Sequence, residues 1–414
     1  MDQSDLPLQP RLRAVEIFPV PVDGRELFCL KDPQGFAERP LFLNRTLVFI
    51  VSRMDGSNTL RDIQADIFRA TGEIIPMEDL EGLKRQLDEN RYLDSPAFRQ
   101  FYEAQVREFL DAPTRAARHS GSVYEAASPA LISQLESYYS HPDGPGKPIP
   151  AEAPTPLRGL ISPHIDYHRG GPTYAHAYRA LAEHLGADRF IVFGTCHNPM
   201  ERRFAFTSKD YETPLGTVQT DRQFVARLAS RVSTDYFADE FAHRAEHSIE
   251  LQTVWLKHVL GEPSDFKIIP ILVGSFHDLC SGRRSPAEDL QIGEVADALT
   301  ETMEQIPGRY CIVAGADLAH VGRRFGDPSG PTESFLKSVA EEDRFLLERA
   351  AACDAEGVFK SVAADNDRRR VCGYPPIYMT LKCLDGARGS LLQYRQWADL
   401  DAAAAVTYAA VAFY

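Results

Sequence analysis

Cysteine is scarce and irregularly placed in this chain: seven residues, an odd number, with no Cys-x-x-Cys among them. That pattern excludes a disulfide framework and a zinc ribbon. Basic charge is also short. A formal net charge of -14 leaves little for phosphate to bind, which argues against a nucleic-acid partner. No apolar run reaches the ~20 residues that cross a bilayer, and no membrane partner is expected. The opening MDQSDLPLQP lacks the basic start and apolar core of a secretory signal, so a cytoplasmic location is expected. What remains is the composition of a soluble globular protein. The 414 residues suffice for two or three domains, with 44% hydrophobic and 25% charged side chains.

Residues 1–110 read as a small domain. Residues 15–30 and 41–51 look like strands, the second ending at the turn signal Met54-Asp55-Gly56. Leu60, Ile63 and Ile67 then recur at helical spacing behind Thr59 and Asp62, a capping pair. Pro76 opens a second helix with Leu80, Leu83 and Leu87 on one face, and residues 91–93 read as a closing strand. Helical patterns at 98–110 and 129–139 lead into SHPDGPGKPIPAEAPTP at 140–156, too rich in proline for helix or central strand. Residues 111–156 are thus expected to be a helical and proline-rich connector.

From Leu157 the pattern changes to alternation. Apolar strand candidates lie at 157–162, 189–193, 267–273, 310–314, 389–395 and 406–413. Helix candidates between them lie at 174–185, 222–231, 248–260, 292–305, 334–351 and 376–384. This predicts an α/β domain over 157–414, a sheet covered by helices on both faces.

Polar side chains collect just past the strands. His164, Asp166 and His168 follow the first in SPHIDYH, and His197 follows the second in FGTCHN. Asp317 and His320 follow a later one in AGADLAH. Ligands of open α/β sheets bind at the carboxyl ends of the strands. A lone histidine is more often a packing residue, but three strand ends bearing imidazole or carboxylate point jointly to a divalent transition metal or to acid–base chemistry. His243, Glu246, His247 and Glu250 stand in HRAEHSIE before a helix. This is not the zincin motif, because Arg244 follows His243; His247 reads as a site residue and Glu250 as structural. His119, His141, His184 and His258 read as surface or packing residues. Cys372, in RRRVCGYPPI, lies near a helix start and three arginines that would favour its thiolate. A buried packing role in a Cys-Gly turn suits it equally.

Five ordered segments, SPHIDY, GTCHN, EHSIE, GADLAHVG and VCGYPPI, together resemble the Memo family, called AmmeMemoRadiSam system protein B in prokaryotes. The resemblance covers about residues 157–414. It implies a fold similar to class III extradiol dioxygenases and one transition-metal ion, iron or copper, with zinc as the alternative. It also implies His164, His197 and Cys372 as ligands, with Asp317, His320 and His247 lining the same pocket. His247 or His320 would then serve as acid or base, and Asp317 competes with Cys372 for the third ligand place. Asp166 and Tyr374 depart from the usual motifs, and Asp166 adds a carboxylate near the site. The implied function is redox chemistry on an unidentified small molecule or peptide, beside a radical-SAM partner. A metal-binding accessory protein without turnover and a zinc hydrolase are the alternatives. Separately, DGSNTLRDI and RYLD in the first domain resemble PqqD-like winged-helix modules, an α+β fold that implies peptide binding.

Overall fold

The computed structural model describes all residues except 1–5, 23, 38, 150–154, 262–264, 283 and 400–402. Two compact units emerge. The described residues of Met1–Asp111, Arg323–Pro328 and Leu400–Ala403 form one, and the remainder form the other.

In the first unit, strands β1 (Glu16–Val22), β2 (Arg25–Lys31) and β3 (Leu41–Leu43) form an antiparallel sheet in that order. Helices α1 (Arg45–Ser52), α2 (Leu60–Thr71), α3 (Met77–Glu89) and α4 (Pro96–Asp111) follow. Their shared core includes Leu30, Ile50, Ile63, Leu80, Leu87 and Tyr92. The run at 41–51 expected as a strand is mostly helix. Asn44 supplies the reason: its side chain accepts the Leu47 N–H and caps α1 after three residues of strand. Thr59 and Asp62 form the expected capping box of α2.

The second unit is a layered α/β structure. Its strands are β4 (Thr114–Arg115), β5 (Gly159–Ser162), β6 (Arg189–Thr195), β7 (Phe204–Phe206), β8 (Asp210–Tyr211), β9 (Gln219–Thr220), β10 (Lys267–Val273), β11 (Tyr310–Gly315), β12 (Asp317–Gly322), β13 (Gly389–Asp399) and β14 (Ala404–Phe413). The main sheet runs β12-β14-β5-β11-β6-β10-β7, with β13 paired to β14 and β9 to β10. Strands β5, β11, β6 and β10 are mutually parallel, while β14 runs antiparallel to β5. These central strands read as near-continuous apolar runs because both faces are covered.

Helices α5 (Ser128–Tyr139), α6 (Tyr167–Glu183) and α8 (Ser248–Leu260) cover one face, through Leu131, Tyr174, Tyr178, Leu251 and Trp255. Helices α7 (Arg222–Ala229), α10 (Leu290–Gln305), α12 (Ala355–Ala363) and α13 (Tyr374–Cys383) cover the other, through Phe224, Ile292, Val358 and Tyr378. Helices α9 (His277–Gly282) and α11 (Glu333–Ala351) complete the unit. No helix among the described residues is long and apolar enough to cross a membrane.

One expectation changes, and one gains detail. Residues 112–149 are built into the second unit and are no free connector: α5 contributes Leu131 and Leu135 to its core, and Arg115 is fully buried there. Asp317 and His320 do follow the strand that ends at Gly315, and they themselves lie on a further strand, β12, paired antiparallel with β14.

Candidate metal centre

Three strands and one helix converge on the site. Parallel strands β5, β11 and β6 lie side by side in that order and end at Ser162, Gly315 and Thr195. Two residues further on stand His164, Asp317 and His197, on one edge of the sheet. His247 joins them from the start of α8. That helix begins close against the strands because Gly194 and Gly315 have no side chain. A Cβ at Gly194 would meet Ser248 Oγ and Ile249 at 2.5 Å, and one at Gly315 would meet the Ser248 carbonyl at 2.5 Å. Ser248 Oγ also donates to Thr195 O at 2.7 Å, which ties the helix start to the end of β6.

The imidazoles of His164, His197 and His247 each offer a ring nitrogen, and these nitrogens lie within 4.8 Å of one another. The rings of His197 and His247 stack at 4.9 Å, and His164 stands edge-on to both, at 5.1 and 5.3 Å. Their second nitrogens are held by the protein. His164 Nδ1 lies 2.9 Å from Gly315 O, so it carries the hydrogen and leaves Nε2 basic. His197 Nδ1 and His247 Nδ1 both lie 3.1 Å from Glu246 Oε1. One buried carboxylate therefore sets the tautomer of two imidazoles, an outer contact typical of metal-ligating histidines. Glu246 also accepts the backbone N–H groups of His197 at 2.7 Å and His247 at 2.9 Å. Burial opposes its charge, but the two imidazoles and their donors outweigh burial and hold the carboxyl well below its usual range.

His164 is the deepest of the three. Burial first, then the neighbouring imidazoles of His197 and His247, hold its protonation well below the usual range. Cys372 Sγ lies 3.3 Å from His164 Nε2, and Asp317 Oδ2 lies 3.7 Å from it. Asp317 Oδ1 accepts the backbone N–H of His164 at 2.9 Å and of Ile165 at 3.2 Å. Burial raises the Asp317 carboxyl, against the pull of His320 and those two donors.

A stretch of 298 residues, 115–412, matches the family model for Memo-like proteins. The chain belongs to that family. A MEMO1 family protein of Aquifex aeolicus is 28% identical over 410 residues, covering 98% of this chain and all of its relative. One from Methanopyrus kandleri is 30% identical over 303 residues, covering 71% of this chain and 96% of its own length. One from Thermus thermophilus is 28% identical over 351 residues, covering 84% and 96%. The family match begins at Arg115, well before the residue 157 expected from the motifs alone.

The Memo-like site gathers most of the residues singled out in the sequence. His164, His197 and His247 form the cluster, with Cys372 and Asp317 in contact with His164. His320 sits on β12, with Nδ1 3.2 Å from Leu318 O, and burial pushes its protonation down to about 4 despite Asp317. Asp166 is not at the cluster: it caps α6, accepting the Arg169 N–H at 3.1 Å, and pairs with the Arg169 side chain.

The arginines before Cys372 do not favour its thiolate as expected. Arg368 pairs with Glu342, Arg369 is buried against Asp343, and Arg370 donates to His320 O at 3.1 Å. Burial, then Asp317 and Asp367, hold the thiol well above its usual range. The loop that presents it is nonetheless unusual. Asn366, Asp367 and Arg370 all take left-handed backbone angles, with φ of 56°, 54° and 52°. Strain of this kind persists only where surrounding structure over-determines it. Here Val371 N donates to Asp367 Oδ1 at 2.7 Å and His320 N to Arg369 O at 2.7 Å.

One contact of the cluster is invisible in the sequence: nothing in HRAEHSIE itself gives Glu246 a role. His119, expected as a surface or packing residue, does pack, beside the cluster. His119 Nε2 lies 3.0 Å from Ala245 O, and its ring stands 5.6 Å from His247.

Proposed function

We propose that this Memo-like protein binds one transition-metal ion through His164, His197 and His247, with Cys372 as a soft further donor, and that it is a redox protein using iron or copper. The observation that carries the reading is the carboxylate of Glu246 gripping two imidazoles whose remaining nitrogens converge on a third. The spacing supports a fit. Bonds of about 2.0 Å to nitrogen and 2.3 Å to sulfur put two nitrogens of a tetrahedral centre about 3.3 Å apart, and a nitrogen and a sulfur about 3.5 Å apart. The Cys372–His164 separation of 3.3 Å is close to the second value, and imidazole nitrogens within 4.8 Å reach the first by side-chain rotation. A cation would also remove the reason for the thiol to keep its proton, since coordination deprotonates thiols.

A bound iron or copper ion supplies one-electron chemistry; the protein supplies placement and proton transfer. Glu246 orients His197 and His247, Gly315 O orients His164, and Asp317 braces the backbone of residues 164 and 165. His320, with Nδ1 3.2 Å from Leu318 O, is the side chain proposed as acid or base. The family resemblance adds a radical-SAM enzyme as partner and a peptide-binding role for the first unit. Edge-strand addition to that unit favours β3, because the other edge strand, β1, carries Pro19 and Pro21, which have no N–H to donate.

A second reading rests on a specific observation: three imidazoles are also the donor set of catalytic zinc, which activates water for hydrolysis. Anaerobic purification followed by elemental analysis separates the two. Iron or copper near one per chain, with a spectroscopic change on reduction, supports the redox reading; zinc alone would replace it with the hydrolytic one.

A further inference from the structure

The turn that carries Glu246 and His247 is held from outside by a segment with no ligand of its own. Arg115 is fully buried and spends its guanidinium on that turn. Its Nε donates to His243 O at 3.0 Å and one terminal nitrogen to Glu246 O at 2.7 Å. The other terminal nitrogen donates to Ala116 O at 2.9 Å and to Glu250 Oε2. Glu250, also fully buried, accepts the Tyr124 hydroxyl and the His119 N–H at 3.0 Å on its second oxygen. His119 in turn reaches Ala245 O. Thus the carbonyls of residues 243, 245 and 246 are all taken by residues 115 and 119, and the charge that makes this possible is balanced by Glu250, in the first turn of α8.

We propose that Arg115, balanced by Glu250, is a positioning residue for the metal centre: it locks the 243–246 turn so that Glu246 holds His197 and His247 in ligand geometry. This rests on the metal reading above but makes its own claim about a strap remote in sequence. The physical reason is the planar fork of arginine, which grips three carbonyls, two of them in the turn, and a carboxylate at once; the single ammonium of lysine has no such geometry. Burying such a pair costs desolvation, so its presence is not explained by stability alone.

The test uses the full chain and Arg115→Lys, with Leu299→Ala in α10 as a control that destabilises the core away from the site. Two readouts are taken. In the metal-free protein, imidazole N–H resonances of His197 and His247 report their hydrogen bonds to Glu246; His197→Gln and His247→Gln assign them. In the Co²⁺-loaded protein, affinity and ligand-field absorption report the centre. The expected result is that Arg115→Lys shifts or broadens both N–H signals, weakens Co²⁺ binding about 10- to 100-fold and alters the absorption, while Leu299→Ala lowers only the melting temperature. Folded Arg115→Lys with wild-type signals, affinity and spectrum overturns the proposal. Where Arg115→Lys does not fold, Glu250→Gln is read the same way. Wild-type protein that takes no Co²⁺ sinks the metal reading, whereas the N–H signals still decide the role of Arg115.

Discussion

At the scale of single residues, the site is a set of solved tautomer problems. An imidazole can ligate only through a nitrogen that carries no hydrogen, and each of the three has its other nitrogen against a carbonyl or a carboxylate. Glu246→Gln should therefore cost metal affinity by about 10- to 100-fold with little loss of fold, read by competition with a chromophoric chelator. Unchanged affinity would show that the carboxylate is merely packed. Cys372→Ser should weaken binding markedly and Asp317→Asn less, because only the thiol stands at donor distance from His164 Nε2. Loss of affinity confined to the Asp317 variant would hand the donor role to the carboxylate.

A second residue-scale prediction concerns pH and lies outside the ligand set. His243 is buried, with Nδ1 2.8 Å from the Tyr211 hydroxyl and Nε2 3.0 Å from Ala205 O. Both bonds suit the neutral ring, and burial pushes its protonation from 6.5 down to about 3. Between those values the unfolded chain binds a proton that the folded one refuses, so stability is complete above about pH 6.5 and falls as pH drops toward 3. The loss is on the order of a few kcal/mol. Denaturant melts of His243→Gln should show a flatter acid slope; parallel slopes would assign the acid sensitivity to other groups.

At the scale of elements, the helix α8 is the piece whose placement matters most, and two glycines set it. Gly194→Ala should push Ser248 and Ile249 off β6, costing about 1 to 3 kcal/mol of stability and lowering metal affinity because His247 heads the same helix. Stability lost without any change in affinity would mean the cluster does not depend on that seat.

This is also the scale at which sequence was most and least readable. The alternation from residue 157 onward was legible because parallel strands covered on both faces become continuous apolar runs. His164 and His197 were legible because each sits two residues past such a run. The run at 41–51 was not, since an apolar stretch of that length fits helix or strand equally and a single side-chain cap at Asn44 decides it. Glu246 was hidden for another reason. Its two imidazoles arrive from different elements, and no local pattern shows that one carboxylate spans them. Arg115 was hidden furthest, its partner Glu250 lying 135 positions away.

At the scale of the whole molecule, the second unit begins where the family match begins, near residue 115, and not after the proline-rich stretch. Removing residues 1–111 should leave a folded, metal-binding remainder, because the first unit keeps its own core. Removing residues 1–140 should not, because it deletes Arg115, Tyr124 and α5 from the second core. Circular dichroism and thermal melts of the two truncations check this, and equal behaviour would contradict the assignment of 112–139 to the second unit. The most direct test of the central claim is anaerobic calorimetric titration of metal-free full-length protein with Fe²⁺. One site per chain is predicted for the wild type and none for His164→Ala/His197→Ala; full stoichiometry retained in that double variant would contradict it.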